Sequence, residues 1–301
     1  MKMLCFHRGP GSGDAMEQDS LVTDEGECDE SLYEFYRLDE CRNILGENKI
    51  DVDMWSNMID KLIKTHHDLQ TLSQETLYLC VDMLHRFLSK TTNCDLVLDA
   101  KSKFELVALT SLMLASKYED VDSPLCANDI EYLTELSFST QEICDMEIVI
   151  LKKLDWVLTV TTPNDFIHGN MRVLSLLSHT HDDDKMMENM VNFLSELSLT
   201  HYPIVGCYKP SLLAASAVYG ARIVLGRLPH WNNTLTHCTG YSTKELSCCT
   251  KLMLKLCIAT CRQGDMNILK KFSSAASVVL KQFSNRSDLR CFCNKSESEP
   301  H

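Results

Sequence analysis

Residues 103–120, KFELVALTSLMLASKYED, place apolar side chains on every side of a helix. Phe104, Leu106, Val107, Leu109, Leu112, Met113, Leu114 and Ala115 leave almost no polar face, and a helix apolar all round must be enclosed by other helices. About 16 residues with charge at both ends are too short and too polar to span a membrane. The last turn carries Lys117, Tyr118, Glu119 and Asp120. Lys117 suits the negative end of a helix dipole, and Pro124 then stops the helix.

Around this rod the pattern predicts a first unit of about five helices. Helix 54–67 puts Trp55, Met58, Ile59 and Leu62 on one stripe. Helix 74–90 starts after Ser73 as N-cap and buries Leu77, Cys80, Val81, Leu84 and Phe87. A loop over 91–102 leads to the central helix, 103–119. A shorter helix is expected over 127–136, and helix 140–154 opens with a capping box from Ser139 to Glu142. Residues 155–162 read as an extended linker, and Pro163 begins the next helix at its favoured first position.

A second unit echoes the first. Helices are expected over 163–177 and then from Asp182, Asp183 and Asp184, whose charge favours a helix start. Pro210 opens a second apolar helix, 211–225, with Ala214, Ala215, Ala217 and Ala221. The segment 231–239 is a short helix at best. Ser242 to Glu245 forms another capping box before Leu246, Cys249, Met253 and Leu256, and one last helix is expected over 265–282. Ala115-Ser116 and Ala215-Ser216 stand at matching places in the two halves. Before the first unit, residues 1–27 lack periodicity and read as disordered. Residues 28–53 read as a short helix plus connector, and residues 284–301 as a polar tail. The domain division is therefore 1–27, 28–53, 54–158, 159–283 and 284–301.

Composition narrows the classes. Forty-five percent hydrophobic residues in a chain of 301 can fill sizeable cores. A net charge of −13 argues against a general nucleic-acid binder. Residues 1–6 are too short an apolar run for a signal peptide, so the fifteen cysteines are expected to be mostly free, buried thiols of a reducing compartment. They lack the paired spacing of zinc sites, and Cys291 and Cys293 lie in the polar tail. The sequons at Asn232, Asn285 and Asn294 carry no meaning without secretion. There is no G-x-S-x-G, Gly-rich phosphate loop or H-E-x-x-H, so no catalytic, metal or cofactor residue is expected. His66-His67 and His179/His181/Asp182 read as solvated turns.

LASKYED at 114–120 resembles the LASK(F/Y)EE signature of the cyclin box. Further matches follow the family's order: LYEFYRLDE at 32–40, ETLYL at 75–79, RFLS at 86–89, DMEIVILKKLDW at 145–156, TPNDF at 162–166, YKPSLLAASAVYGAR at 208–222 and HCTGYS at 237–242. They span roughly residues 30–260 and are most similar to A/B mitotic cyclins, with a plant-like B character in the second half. The resemblance implies an all-α protein of two tandem cyclin folds with flanking N- and C-terminal helices. It also implies a regulatory subunit that binds and activates a cyclin-dependent Ser/Thr kinase at G2/M, in the nucleus or cytoplasm. Kinase substrates or inhibitors would be further partners, with no nucleic acid or membrane. The destruction motif R-x-x-L of cyclin B has one match here, Arg42 to Leu45, close to the first box.

Spacing places Glu147 inside the apolar stripe of helix 140–154, formed by Ile143, Met146, Ile150, Leu151 and Leu154, where a carboxylate needs a partner. Lys117 is the natural one. By spacing alone the pair is an internal salt bridge; the resemblance makes Lys117 and Glu147 kinase anchors, with Tyr118 and Glu119 beside them. It also places a substrate-docking patch at Met54, Met58, Lys61 and Glu105. The family Trp is Lys61 here and its partner Gln is Glu105, which puts a charge pair across an apolar groove. The family's Arg–Asp pair is replaced by Trp55 and His85, so an aromatic pair is expected instead of an ion pair. Two other readings stand beside activation: a divergent cyclin with weak or no kinase activation, and a cyclin-fold adaptor for another protein or nucleic acid.

Overall fold

The structure, a computed structural model, describes residues 51–91, 101–177 and 181–283. The expected helix at 28–40, the R-x-x-L match, most of the 91–102 loop and the tail lie outside them. Among the described residues every regular element is a helix.

The first unit comprises α1 (Val52–Leu69), α2 (Gln74–Ser89), α3 (Lys101–Glu119), α4 (Ala127–Leu133) and α5 (Thr140–Lys153). As the all-apolar pattern requires, α3 is the axis: Phe104 and every residue from Leu106 to Ser116 is buried, and α1, α2, α4 and α5 pack around it. Local signals set the ends. Asp51 accepts from the Asp53 amide at 3.0 Å to cap α1. Glu142 accepts the Ser139 amide at 2.9 Å, and the Ser139 hydroxyl accepts the Glu142 amide at 3.3 Å, closing the expected capping box. Ser73 does not cap α2 with its hydroxyl. The carboxylate of Asp120, at the end of α3, receives the Ser73 amide at 2.9 Å and the Thr76 hydroxyl at 2.6 Å instead.

The second unit holds α6 (Pro163–Leu177), α7 (His181–Leu199), α8 (Tyr202–Cys207), α9 (Pro210–Val224), α10 (Asn233–Thr239) and α11 (Thr243–Gln263), then α12 (Ile268–Lys271) and α13 (Ser273–Gln282). Here α9 is the axis, packed by α6, α7 and α11. A Cβ on Gly220 would stand 3.1 Å from Leu194 Cδ1, so the bare backbone is what lets α7 approach. The sequence pattern did not anticipate α8. The single helix expected over 265–282 is broken at Phe272, which is buried and stacks on Phe193 with ring centroids 5.6 Å apart.

The two units are joined by packing of α6 on α2 and of α8 and α12 on α1. Asp60 of α1 is buried and accepts three N–H groups from the start of α12, those of Asn267 N (2.9 Å), Asn267 Nδ2 (2.9 Å) and Ile268 N (3.0 Å). Trp55 donates through Nε1 to the Leu199 carbonyl at 2.9 Å, and the Tyr78 hydroxyl donates to Ser195 at 2.8 Å. Glu75 of α2 accepts from Asn164 of α6 at 3.1 Å and meets His168 Nε2 at 3.3 Å.

Candidate partner-binding site

The mouth of α3 meets the buried stripe of α5. Ile143, Ile150 and Leu151 are buried there, and Glu147 stands among them with only 13% of its side chain exposed. Lys117 reaches it from the last turn of α3: Nζ lies 2.7 Å from Oε1, and the lysine side chain is 30% exposed. The geometry is that of a charge-assisted hydrogen bond with one side open to solvent. Tyr118 turns its hydroxyl to Thr159 Oγ1 at 2.5 Å, and Glu119 is half-buried at the end of α3.

The chain after α5 is tied to the end of α2. Arg86 is held by Asp82 at 2.6 Å and donates through a terminal nitrogen to the Val157 carbonyl at 2.8 Å. Lys90 pairs with Asp155 at 2.6 Å. Trp156 is thereby presented to solvent, and it is not alone. Eleven large hydrophobic residues are exposed among the described residues, and eight lie between 121 and 157: Val121, Tyr132, Leu133, Leu136, Ile148, Val149, Trp156 and Val157. Large apolar side chains left in water over one stretch of the chain make it a candidate contact region. Sequence reasoning missed Trp156 and Leu136, although each follows a helix end in a position that a stop signal alone would not fill with a bulky side chain.

The second predicted group forms a different surface. Lys61 and Glu105 make an ion pair between α1 and α3, with side chains 49% and 23% exposed. Met54 is half-buried and Met58 is buried, built into the core rather than into a groove. Trp55 and His85 do meet, edge to face at 6.4 Å, but Tyr202 of α8 stands closer to each, at 5.1 Å from Trp55 and 5.3 Å from His85. The expected pair is therefore a trio that includes the second unit. Burial lowers the pKa of His85, which keeps a neutral ring among the aromatics.

Five of the nine described cysteines are buried, as expected of core thiols, and four are not. Cys80, Cys238, Cys249, Cys257 and Cys261 are buried, Cys144 is half-buried, and Cys126, Cys207 and Cys248 are exposed, none of them in a disulfide; burial pushes the Cys249 thiol up to about 12. No group of three or more metal-ligating side chains occurs among the described residues. Nor is any helix there long and apolar enough to cross a membrane.

The cyclin N-terminal domain matches residues 32–159, and the cyclin C-terminal domain matches residues 161–286. The chain belongs to the cyclin family. It is 36% identical over 228 residues to a G2/mitotic-specific cyclin S13-7 of Glycine max, a match that takes in 74% of this chain and 82% of the relative. It is 34% identical to G2/mitotic-specific cyclin-2 of Antirrhinum majus and 36% identical to Cyclin-B1-3 of Arabidopsis thaliana, in each case over 81% of this chain. These matches cover 53% and 56% of the two relatives, so this cyclin spans about half their length. The fold is shared with a viral cyclin from herpesvirus saimiri, at a TM-score of 0.60 and 17% identity, over 75% of this chain and 97% of that one. The relatives are B-type and G2/mitotic cyclins, and the five helices of the first unit and the eight of the second fall within the two matched cyclin domains.

Proposed function

We propose that this cyclin is the regulatory subunit of a cyclin-dependent Ser/Thr kinase acting at G2/M, in the nucleus or cytoplasm, and that catalysis belongs to the kinase. One observation carries the reading: Glu147, held by Lys117 in a half-buried pair, lies within the segment 121–157 that holds eight of the eleven exposed large hydrophobics among the described residues. Lys117 and Glu147 supply polar anchors for kinase backbone groups, Tyr118 and Glu119 flank them, and the apolar face supplies contact area. The relatives' descriptions as G2/mitotic-specific support the cell-cycle stage. The mechanism is a population shift. A cyclin that binds the active arrangement of the kinase better than the inactive one holds it active, by no more than that difference in affinity.

The test is co-purification of the tagged full chain, mass spectrometry of what it retains, and a phosphorylation assay of the complex. Retention of a cyclin-dependent kinase with activity well above the kinase alone is expected. Absence of any such kinase defeats the proposal.

A second reading concerns substrates. The Lys61–Glu105 ion pair fills the face where the resemblance places docking of R-x-L peptides. This favours a cyclin that binds its kinase yet selects substrates by another surface, or activates weakly. A retained kinase with no gain in activity would favour weak activation.

A further inference from the structure

Two successive helices of the first unit end in the same way. After α4 the Leu136 amide bonds to the Glu131 carbonyl at 2.9 Å, and that of Glu135 to Tyr132 at 3.0 Å. After α5 the Trp156 amide bonds to Leu151 at 2.9 Å, and that of Asp155 to Lys152 at 3.1 Å. Both are Schellman turns. The first residue past the cap is ordinarily glycine and the next an apolar residue that packs back on the helix. Here an acidic residue takes the first place, and both residues of each turn are left-handed: Glu135 and Leu136 at φ 50° and 63°, Asp155 and Trp156 at 54° and 61°. Left-handed backbone is disfavoured for bulky side chains. The apolar residues also do not pack back, since Leu136 is 75% and Trp156 60% exposed. One exposed leucine needs no explanation. The same disfavoured turn built twice, each time holding a large apolar side chain in water, does.

From this geometry we propose that Leu136 is a second anchor for the partner that docks at Trp156, placed at the opposite end of α5. The proposal rests on the kinase-binding reading of this face. The fourteen residues of α5 separate the two turns, which is about 21 Å at helical rise, with Ile148, Val149 and the Lys117–Glu147 pair between them. The occupant is then the kinase, presenting apolar pockets spaced on that scale.

The experiment uses the full chain with Leu136→Ser, with Trp156→Ser, and with a photo-reactive phenylalanine analogue at either position. Each serine variant should melt as the parent does, because neither side chain is packed, and each should retain the kinase at least about fivefold less well. The analogue at 136 and at 156 should cross-link to the same kinase. Parent-like kinase retention by Leu136→Ser, or a cross-link from 156 with none from 136, overturns the anchor. If both positions cross-link to one identified protein that is not a kinase, and both serine variants weaken its binding, the anchor stands and the kinase reading falls.

Discussion

Glu196 and Lys271 form an ion pair inside the protein, with Lys271 Nζ 2.7 Å from Oε1 and 2.8 Å from Oε2 of a carboxylate that is fully enclosed. The pair fastens α12 to α7, and Gln74 of α2 adds a 3.3 Å hydrogen bond to the same carboxylate. Burial raises the pKa of Glu196 while Lys271 opposes the rise. A carboxyl raised in the folded state favours folding most at low pH, and its contribution declines as pH rises past the ordinary carboxylate range. Lys271→Met removes the opposing charge. It should cost roughly 3–5 kcal/mol at neutral pH, where the carboxylate is stranded, and markedly less near pH 5. Urea unfolding at the two pH values checks this, and equal losses would count against it.

The Lys117–Glu147 pair is neither a surface bridge nor a deep one, with side chains 30% and 13% exposed. Lys117→Ala and Glu147→Ala should therefore lower stability by about 1–2 kcal/mol, between the exposed and the buried limits. Kinase retention should fall by more, about 2 kcal/mol or beyond, if the pair anchors the partner. A thermal melt run beside a kinase pull-down separates the effects. Well-folded variants that still hold the kinase would restrict the pair to internal packing.

Lys61 and Glu105 place opposite charges on the face where the resemblance sets the docking patch. Replacing both, as Lys61→Trp with Glu105→Gln, removes two charges whose hydration resists an apolar ligand. The double variant should bind an R-x-L peptide more tightly than the parent in a fluorescence polarisation titration. No gain would place the obstacle in the buried Met58, which offers no side chain to the groove.

His66, His85 and His168 contribute to the pH response, beside His201, whose pKa burial also lowers. Burial lowers the pKa of His66 and of His85, so their contribution is present above about pH 6.5 and is lost as pH falls toward their folded values. His168 is opposite: its hydrogen bond to Glu75 raises the pKa, and its contribution is full below about pH 6.5 and lost as pH rises through the folded value. His168 is exposed and screened, so its share is small. The protein should melt lower near pH 5.5 than near pH 7.5, and His85→Phe, which keeps the ring against Trp55 and Tyr202, should shrink that difference. A His85→Phe protein with the parent's full acid loss would remove His85 from the account.

Helix positions, caps and the two buried axes were legible because they depend on neighbours a few residues away. The all-apolar pattern of 103–120 forced α3 to the centre; Ser139 with Glu142 and Ser242 with Glu245 marked the starts of α5 and α11; Pro163 and Pro210 opened α6 and α9. The partnership of Lys117 with Glu147 was legible too, since a carboxylate inside an apolar stripe needs a cation and the end of α3 supplies one.

Other pairings could not be read that way. Asp60 with the start of α12, Glu196 with Lys271, Tyr202 between Trp55 and His85, and Asp120 in place of Ser73 at the head of α2 all join residues dozens to hundreds of positions apart. Periodicity says which face of a helix is buried but not which helix covers it, and these contacts exist only once the helices pack together. The same holds for the break at Phe272, where packing on Phe193 overrides a sequence that reads as one continuous helix. It holds as well for Trp156 and Leu136, whose exposure no periodicity marks. Only the turns past α5 and α4, closed by tertiary tethers in the case of Trp156, put them in water.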